Sequence, residues 1–240
     1  MKKKIVITGG EGRFAKHFKP YQNSFKIEFA KKKELDILNV KKISKYLNKI
    51  KPKYLIHNAA LSRPMDIHED KIQNSITKNI IGTCNIVNEC SKRNIKLIYF
   101  STNYVYPGVR GNYKESNALL PINNYAWSKL GGECAVQMYK NSLILRLCIT
   151  EKPFIHKKAF SNIITNFIYQ ENAVPIILKL IDKKGIINIG GKSQSIYEFA
   201  KKDNKNIKST KYNFKNNIKM PKNSSMNLDK MNKFIKKSRF

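Results

Sequence analysis

Short runs of branched apolar residues alternate with segments of helical spacing over residues 1–150, and this rhythm limits the fold more than any other feature. Ile5–Thr8, Ser24–Ala30, Tyr54–His57, Lys96–Ser101 and Ser142–Leu147 read as strands. Between them, Phe14–Phe18 begins a helix, Val40–Ile50 carries Val40, Ile43, Tyr46, Leu47 and Ile50 on one stripe, and Pro52 stops it. Ile72–Lys92 reads as one long helix with Ile76, Ile80, Thr83, Ile86, Val87 and Cys90 on one face, and Tyr125–Tyr139 as another. Strands that are apolar on both faces and separated by helices belong to a parallel sheet covered on both sides.

The expected class is therefore α/β, a Rossmann-type doubly wound parallel sheet. After residue 150 the rhythm loosens: Phe160–Tyr169 looks helical, Gly185–Gly190 looks like a strand, and Ser195–Lys201 opens a helix. Asp203–Phe240 is rich in Lys and Asn, and part of it is expected to be poorly ordered. Residues 1–150 are read as a dinucleotide-binding domain, and 151–240 as a small, partly interleaved substrate-binding region.

Composition excludes several classes. With 47 Lys+Arg against 16 Asp+Glu the net charge is +31. Lys, Asn and Ile are over-used together along the whole chain, which favours compositional drift over a phosphate-binding stripe, so nucleic acid is not the expected partner. The excess still attracts anionic small molecules. No apolar run approaches the ~18 residues of a membrane span. The opening Met1-Lys-Lys-Lys resembles an export signal, but Gly9-Gly10 ends its apolar run at once, so a cytoplasmic protein is expected. Cys84, Cys90, Cys134 and Cys148 form no C-x-x-C and lack a nearby His pair, so no metal site is expected and all four should be free, buried thiols.

Between the first strand and the first helix stands Thr8-Gly-Gly-Glu-Gly-Arg-Phe-Ala15. Gly9, Gly10 and Gly12 let the chain turn sharply and let its backbone approach a pyrophosphate, and small Ala15 lets helix pack on strand. Arg13 and Phe14 complete this cofactor turn. The segment after the second strand reads Ala30-Lys-Lys-Lys33; Lys32 and Arg13 suit a 2′-phosphate, so NADP is expected, with NAD as the alternative.

Ser101-Thr102 ends the fourth strand, and ligands of such sheets bind at carboxyl strand ends. Tyr125 and Lys129 are four apart on one helix face. A phenol of pKa ≈ 10 works poorly near neutrality unless a nearby cation stabilises its phenolate. Thr102, Tyr125 and Lys129 are thus the expected catalytic residues. Arg146, or Lys residues near 152–158, could hold a diphosphate, although Arg146 within a strand is equally a structural partner. His57 reads as a packed strand residue, Trp127 as either pocket lining or packing, and Arg63-Pro64-Met65 as a loop near substrate or in solvent. Lys236 and Lys237 read as a solvated tail.

The glycine turn, Asn58-Ala-Ala60, Ser101-Thr102 and Tyr125-x-x-x-Lys129, in this order, resemble the extended short-chain dehydrogenase/reductase family. The chain is similar to its dTDP-4-dehydrorhamnose reductase (RmlD-like) branch. That likeness rests on Glu34-Leu-Asp-Ile37, Ser101–Tyr106, Tyr113–Tyr125, Ser128–Glu133, Gly185–Gly191 with Ser195–Ala200, and Pro221-x-Asn-Ser224 with Leu228 and Lys230. The branch usually has Asp at Asn103, Gly at Ala126 and a basic residue at Met220. The resemblance implies that Asp36 and Ile37 flank the adenine and that Asn58, Ala59 and Ala60 line the cofactor path. Asn103, Tyr104 and Val105 would meet substrate. It also implies reduction of a nucleotide-linked 4-keto-6-deoxysugar, with the proton from Tyr125, and leaves a homodimer open. An epimerase or a non-catalytic NADP-binding relative remains an alternative, whereas Asn103-Tyr104 lacks the acidic pair a dehydratase needs.

Overall fold

The computed structural model describes residues 2–237, without the side chain of Lys237. Its centre is a six-stranded sheet in the order β10-β5-β4-β3-β1-β2. The strands are β1 (Lys4–Thr8), β2 (Lys26–Phe29), β3 (Tyr54–His57), β4 (Lys96–Thr102), β5 (Ser142–Leu147) and β10 (Gly185–Ile189), and every pairing is parallel. Three two-stranded pairs flank it: β6 (Ile149–Thr150) with β9 (Ile168–Tyr169), β7 (Lys158–Phe160) with β12 (Lys208–Thr210), and β8 (Ile164–Thr165) with β11 (Gln194–Ser195).

Alternate residues of each strand point to opposite faces, and each face has its own core. Ile5, Ile7, Ile56, Phe100, Leu145 and Ile187 pack with Phe14 and Phe18, and with α6 (Gln170–Leu180) and α8 (Asp229–Lys237). Val6, Leu55, Leu97, Tyr99 and Ile144 face α1 (Val40–Ile50), α4 (Gly82–Lys92) and α5 (Asn124–Gln137). α2 (Ile67–Asp70), α3 (Ile72–Ser75) and α7 (Ile196–Lys201) are the other α-helices among the described residues. The chain leaves β1 toward β2 on one side and returns to β3 on the other, so the crevice between their carboxyl ends is the switch point where ligands bind.

Several expectations change. The helix after the glycine turn is a 3₁₀ helix, Ala15–Asn23, with Pro20 inside it. The long helix over Ile72–Lys92 is interrupted by a π-helical stretch, Ile76–Ile81. Phe160–Tyr169 is not helical: Ser161, Ile164 and Ile168 donate backbone hydrogen bonds to Thr210, Lys222 and Cys148, partners far along the chain. A helix lies just beyond, in α6, with Pro175 inside it. Part of the Lys/Asn-rich end is ordered as α8, whose Met231 is buried, so exposed Lys236 sits on a helix rather than a tail; Lys237's side chain lies outside the described residues. All four cysteines are free, but Cys134, on α5, is exposed and Cys84 half-buried. Among the described residues no helix is long and apolar enough to cross a membrane.

The glycine turn is packed tightly at Gly10, where an added Cβ would lie 2.5 Å from the Phe29 carbonyl carbon. Backbone cannot yield as a side-chain tip can. Gly10→Ala is expected to cost about 1–3 kcal/mol, read as a lowered thermal midpoint; an unchanged midpoint would show that β2 is not seated against this turn.

Candidate active site

The carboxyl edge of the sheet gathers the turn, the third strand end and the fourth strand end. Gly9 takes φ +62°, and the Gly12 amide donates to the Gly9 carbonyl at 2.9 Å. A Cβ on Gly12 would lie 3.0 Å from that carbonyl and 3.5 Å from Asn58 Nδ2, so it would fill the notch the turn leaves beside Asn58. The notch, bounded by the Gly9 carbonyl and the Asn58 side-chain amide and free of any Cβ, leaves room for a pyrophosphate to approach the turn. Asn58 and Ala59 are half-buried beside it, and Ala60 is exposed. Phe14's side chain belongs to the core, 5.3 Å from the Phe100 ring, which leaves only its backbone for a ligand. Lys32 is exposed beyond β2. Asp36 accepts from the Leu38 amide at 3.0 Å, and Ile37's side chain is buried beneath Gly82.

A buried chain of hydrogen bonds fixes the β1 and β3 ends. The amides of Asn58 and Ala59 donate to Thr8 Oγ1 at 3.1 and 3.0 Å, and Thr8 Oγ1 lies 2.9 Å from His57 Nδ1. His57 Nε2 lies 3.0 Å from Thr83 Oγ1, which donates to the Asn79 carbonyl. With both amides on its oxygen, Thr8 donates to Nδ1, and Nε2–H donates to Thr83. His57 is therefore a packed, neutral residue, and burial, with Lys129 nearby, lowers its pKa to about 3. The unfolded chain binds a proton near pH 6.5 that the folded protein refuses until about pH 3. Stability from this group is therefore complete above pH 6.5 and is lost as pH falls toward 3. Between pH 7 and 5 the loss is expected to be about 2 kcal/mol. Urea midpoints of the protein and of His57→Gln check this, because the variant should lack that part of the slope.

Tyr125 sits in the first turn of α5, which the surroundings hold firmly. Asn123 caps the helix by accepting from the Ala126 amide at 2.9 Å. Glu69 of α2 accepts from the Asn124 amide at 3.0 Å and from its Nδ2 at 2.6 Å, a carboxylate at the positive helix end. The neighbouring His68 is buried with its ring edge-on to Tyr125, centroids 5.1 Å apart. Its Nδ1 lies 2.7 Å from Ser75 Oγ. The π-helical stretch places Asn79 inward, where its Nδ2 donates to Ser128 Oγ and to the Leu61 carbonyl, both at 2.9 Å. Such bulges are frequent at functional sites.

Burial raises the Tyr125 pKa, while the Thr102 hydroxyl and the Arg63 guanidinium beside it favour the phenolate. Lys129, one turn on, has its Nζ 4.3 Å from the centre of the Tyr99 ring, and burial, partly offset by Glu133, lowers its pKa to about 7. Asn103's amide is committed to Ser224 Oγ at 2.8 Å and Thr165 Oγ1 at 3.2 Å, and Val105 is enclosed with Tyr106, Tyr113 and Met226. Tyr104 alone of that trio keeps a half-exposed side chain, its ring 6.4 Å from Tyr125.

Arg146 has no role toward a diphosphate. It is buried, it binds Glu133 through Nε and Nη2 at 3.1 and 2.5 Å, and its Nη1 donates to Tyr106. Trp127 is half-exposed. Glu69, His68, Asn79 and Glu151 belong to no sequence motif, although they surround the site. Asn79, a lone amide at a buried helical position, was the detectable one.

The parallel doubly wound sheet with its glycine turn at the switch point is the architecture of nucleotide-binding α/β proteins. Within that class, the model of the RmlD substrate binding domain matches residues 2–178, and the chain belongs to this family. The crystal structure of dTDP-4-dehydrorhamnose reductase from Bacillus anthracis in complex with NADP superposes with TM-score 0.86 at 26% identity, covering 97% of this chain and 92% of that one. The methionine adenosyltransferase 2 subunit beta of Xenopus tropicalis is 33% identical over 102 residues, 42% of this chain and 30% of that protein. The dTDP-4-dehydrorhamnose reductase of Salmonella typhimurium is 28% identical over 103 residues, 42% of this chain and 34% of that protein. The matched stretches span about a third of the length of these two curated relatives.

Proposed function

We propose that the protein is an NAD(P)H-dependent reductase of a nucleotide-linked 4-keto-6-deoxysugar. The observation that carries this reading is the juxtaposition of Thr102 and Tyr125, with Lys129 one turn on, at the sheet edge that holds the glycine turn. The likeness to the Bacillus anthracis reductase with NADP supports the cofactor.

When bound, the reduced nicotinamide supplies the hydride. Gly9, Gly10 and Gly12, with Arg13 and the Phe14 backbone, receive the pyrophosphate; Asn58, Ala59 and Ala60 line the path. Asp36 and Ile37 flank the adenine, and Lys32 meets a 2′-phosphate. Tyr125, kept protonated at neutral pH by its raised pKa, gives its proton to the carbonyl oxygen. Thr102 donates a hydrogen bond to the same oxygen, and Thr102 and Arg63 steady the phenolate that results. Lys129 holds the nicotinamide ribose. Tyr104 meets the sugar, while Asn103 and Val105 shape the floor beneath it. Residues 1–150 form the cofactor part and 151–240 the substrate part, although α6, β10 and α8 complete the first part's sheet layers.

The test is purified protein with dTDP-4-keto-6-deoxyhexose and either NADPH or NADH, following the loss of reduced-nicotinamide absorbance. Steady loss supports reduction; conversion of the sugar without net loss would mean an epimerase. The match to a methionine adenosyltransferase subunit favours a second reading, an NADP-binding subunit of another enzyme. Cofactor binding without any sugar turnover would support that reading instead.

A further inference from the structure

Two arginines from different strand-end loops meet one carboxylate across the mouth of the site. Arg13, on the glycine turn, binds Glu151 Oε1 through Nε at 3.1 Å. Arg63, on the loop after β3, binds Glu151 Oε2 through Nη1 at 3.2 Å. Glu151 itself follows β6, beyond the end of β5. Its side chain is 15% exposed against 60% and 40% for Arg13 and Arg63, so the anion is the seated member and the cations are the accessible ones.

We propose that Glu151 is an internal anion that occupies the place of a diphosphate between Arg13 and Arg63 and is displaced when one binds. The site rests on the nucleotide-binding reading above and names the part of the ligand it takes. A carboxylate that offers one oxygen to each guanidinium reproduces two phosphoryl oxygens held by two arginines. A diphosphate brings more negative charge to the same pair, and Arg13 already stands on the turn whose notch fits phosphate. Exchange costs little because each pair is a single contact to a guanidinium that is still 60% or 40% exposed. The carboxylate left behind repels the incoming phosphates, so Glu151 weakens the affinity that the two arginines alone would give.

Both the dinucleotide and the nucleotide sugar carry a diphosphate, and calorimetric titration separates them. ADP-ribose stands for the first and dTDP for the second, with inorganic pyrophosphate as the minimal probe. Glu151→Gln keeps the shape and removes the charge. It is expected to tighten binding about three- to tenfold, and the gain should shrink as salt is raised. Tightening toward ADP-ribose assigns the site to the dinucleotide, toward dTDP to the sugar nucleotide, and toward pyrophosphate with either confirms the shared chemistry. Arg13→Met and Arg63→Met should each weaken the ligand that Glu151→Gln tightens. Equal or weaker binding of every probe by a folded Glu151→Gln variant overturns the proposal. A protein without reductase activity that still shows the tightening keeps the site and loses only the reaction assigned to it.

Discussion

Replacing Tyr125 by phenylalanine is expected to lower turnover about 10²–10⁴-fold, the range a positioned proton donor supplies, while cofactor binding is retained. The ring stays in place because its neighbours hold it from several sides: His68 packs edge-on against it, and Glu69 and Asn123 fix the helix start. Only the proton is removed. Steady-state rates and a cofactor titration on the same preparation measure both effects. Unchanged turnover would place proton donation elsewhere. Reduction by the unaltered protein should also fade at alkaline pH, where the phenol ionises, because burial raises the Tyr125 pKa and only the protonated form can donate.

The largest effect on stability is expected at Glu133. It binds Arg146 at 2.5 Å and accepts from Ser101 Oγ at 2.6 Å, with both charged side chains shut off from water. Glu133→Leu leaves a buried guanidinium without its counter-charge, which typically costs ~3–5 kcal/mol. For a chain of this size that is roughly a 10–15 °C fall in the thermal midpoint. Adding Arg146→Met should recover much of the loss, since removing both charges avoids the stranded one. A midpoint close to that of the unaltered protein for Glu133→Leu alone would mean the pair is wetter than its burial implies.

Much of the fold was legible because local periodicity carried it. Val40–Ile50, Tyr54–His57 and Ser142–Leu147 have the bounds their patterns imply. The failures have physical causes. Ile163, Ile164, Phe167 and Ile168 share helical spacing, yet their segment finds backbone partners in Lys222, Thr210 and Cys148, which no local window contains. Helix α6 carries Pro175 in its interior, where proline usually breaks a helix, so local pattern does not foretell it. The places in the fold of the glycine turn, Thr102, Tyr125 and Lys129 were legible because each lies within one turn or at one strand end. The groups that hold Tyr125 were not. Glu69–Asn124, Arg63–Glu151 and Arg13–Glu151 join residues far apart in sequence, and no spacing rule foretells such pairs.

The most direct measurement follows isotope rather than rate. NADPH deuterated at the transferable position of the nicotinamide is mixed with the protein and a dTDP-4-keto-6-deoxyhexose, and the sugar product is analysed by mass and proton resonance. One deuterium is expected on the former carbonyl carbon, and a solvent-derived proton on its oxygen. A product without deuterium, or deuterium retained in the nicotinamide while the sugar changes, would contradict it.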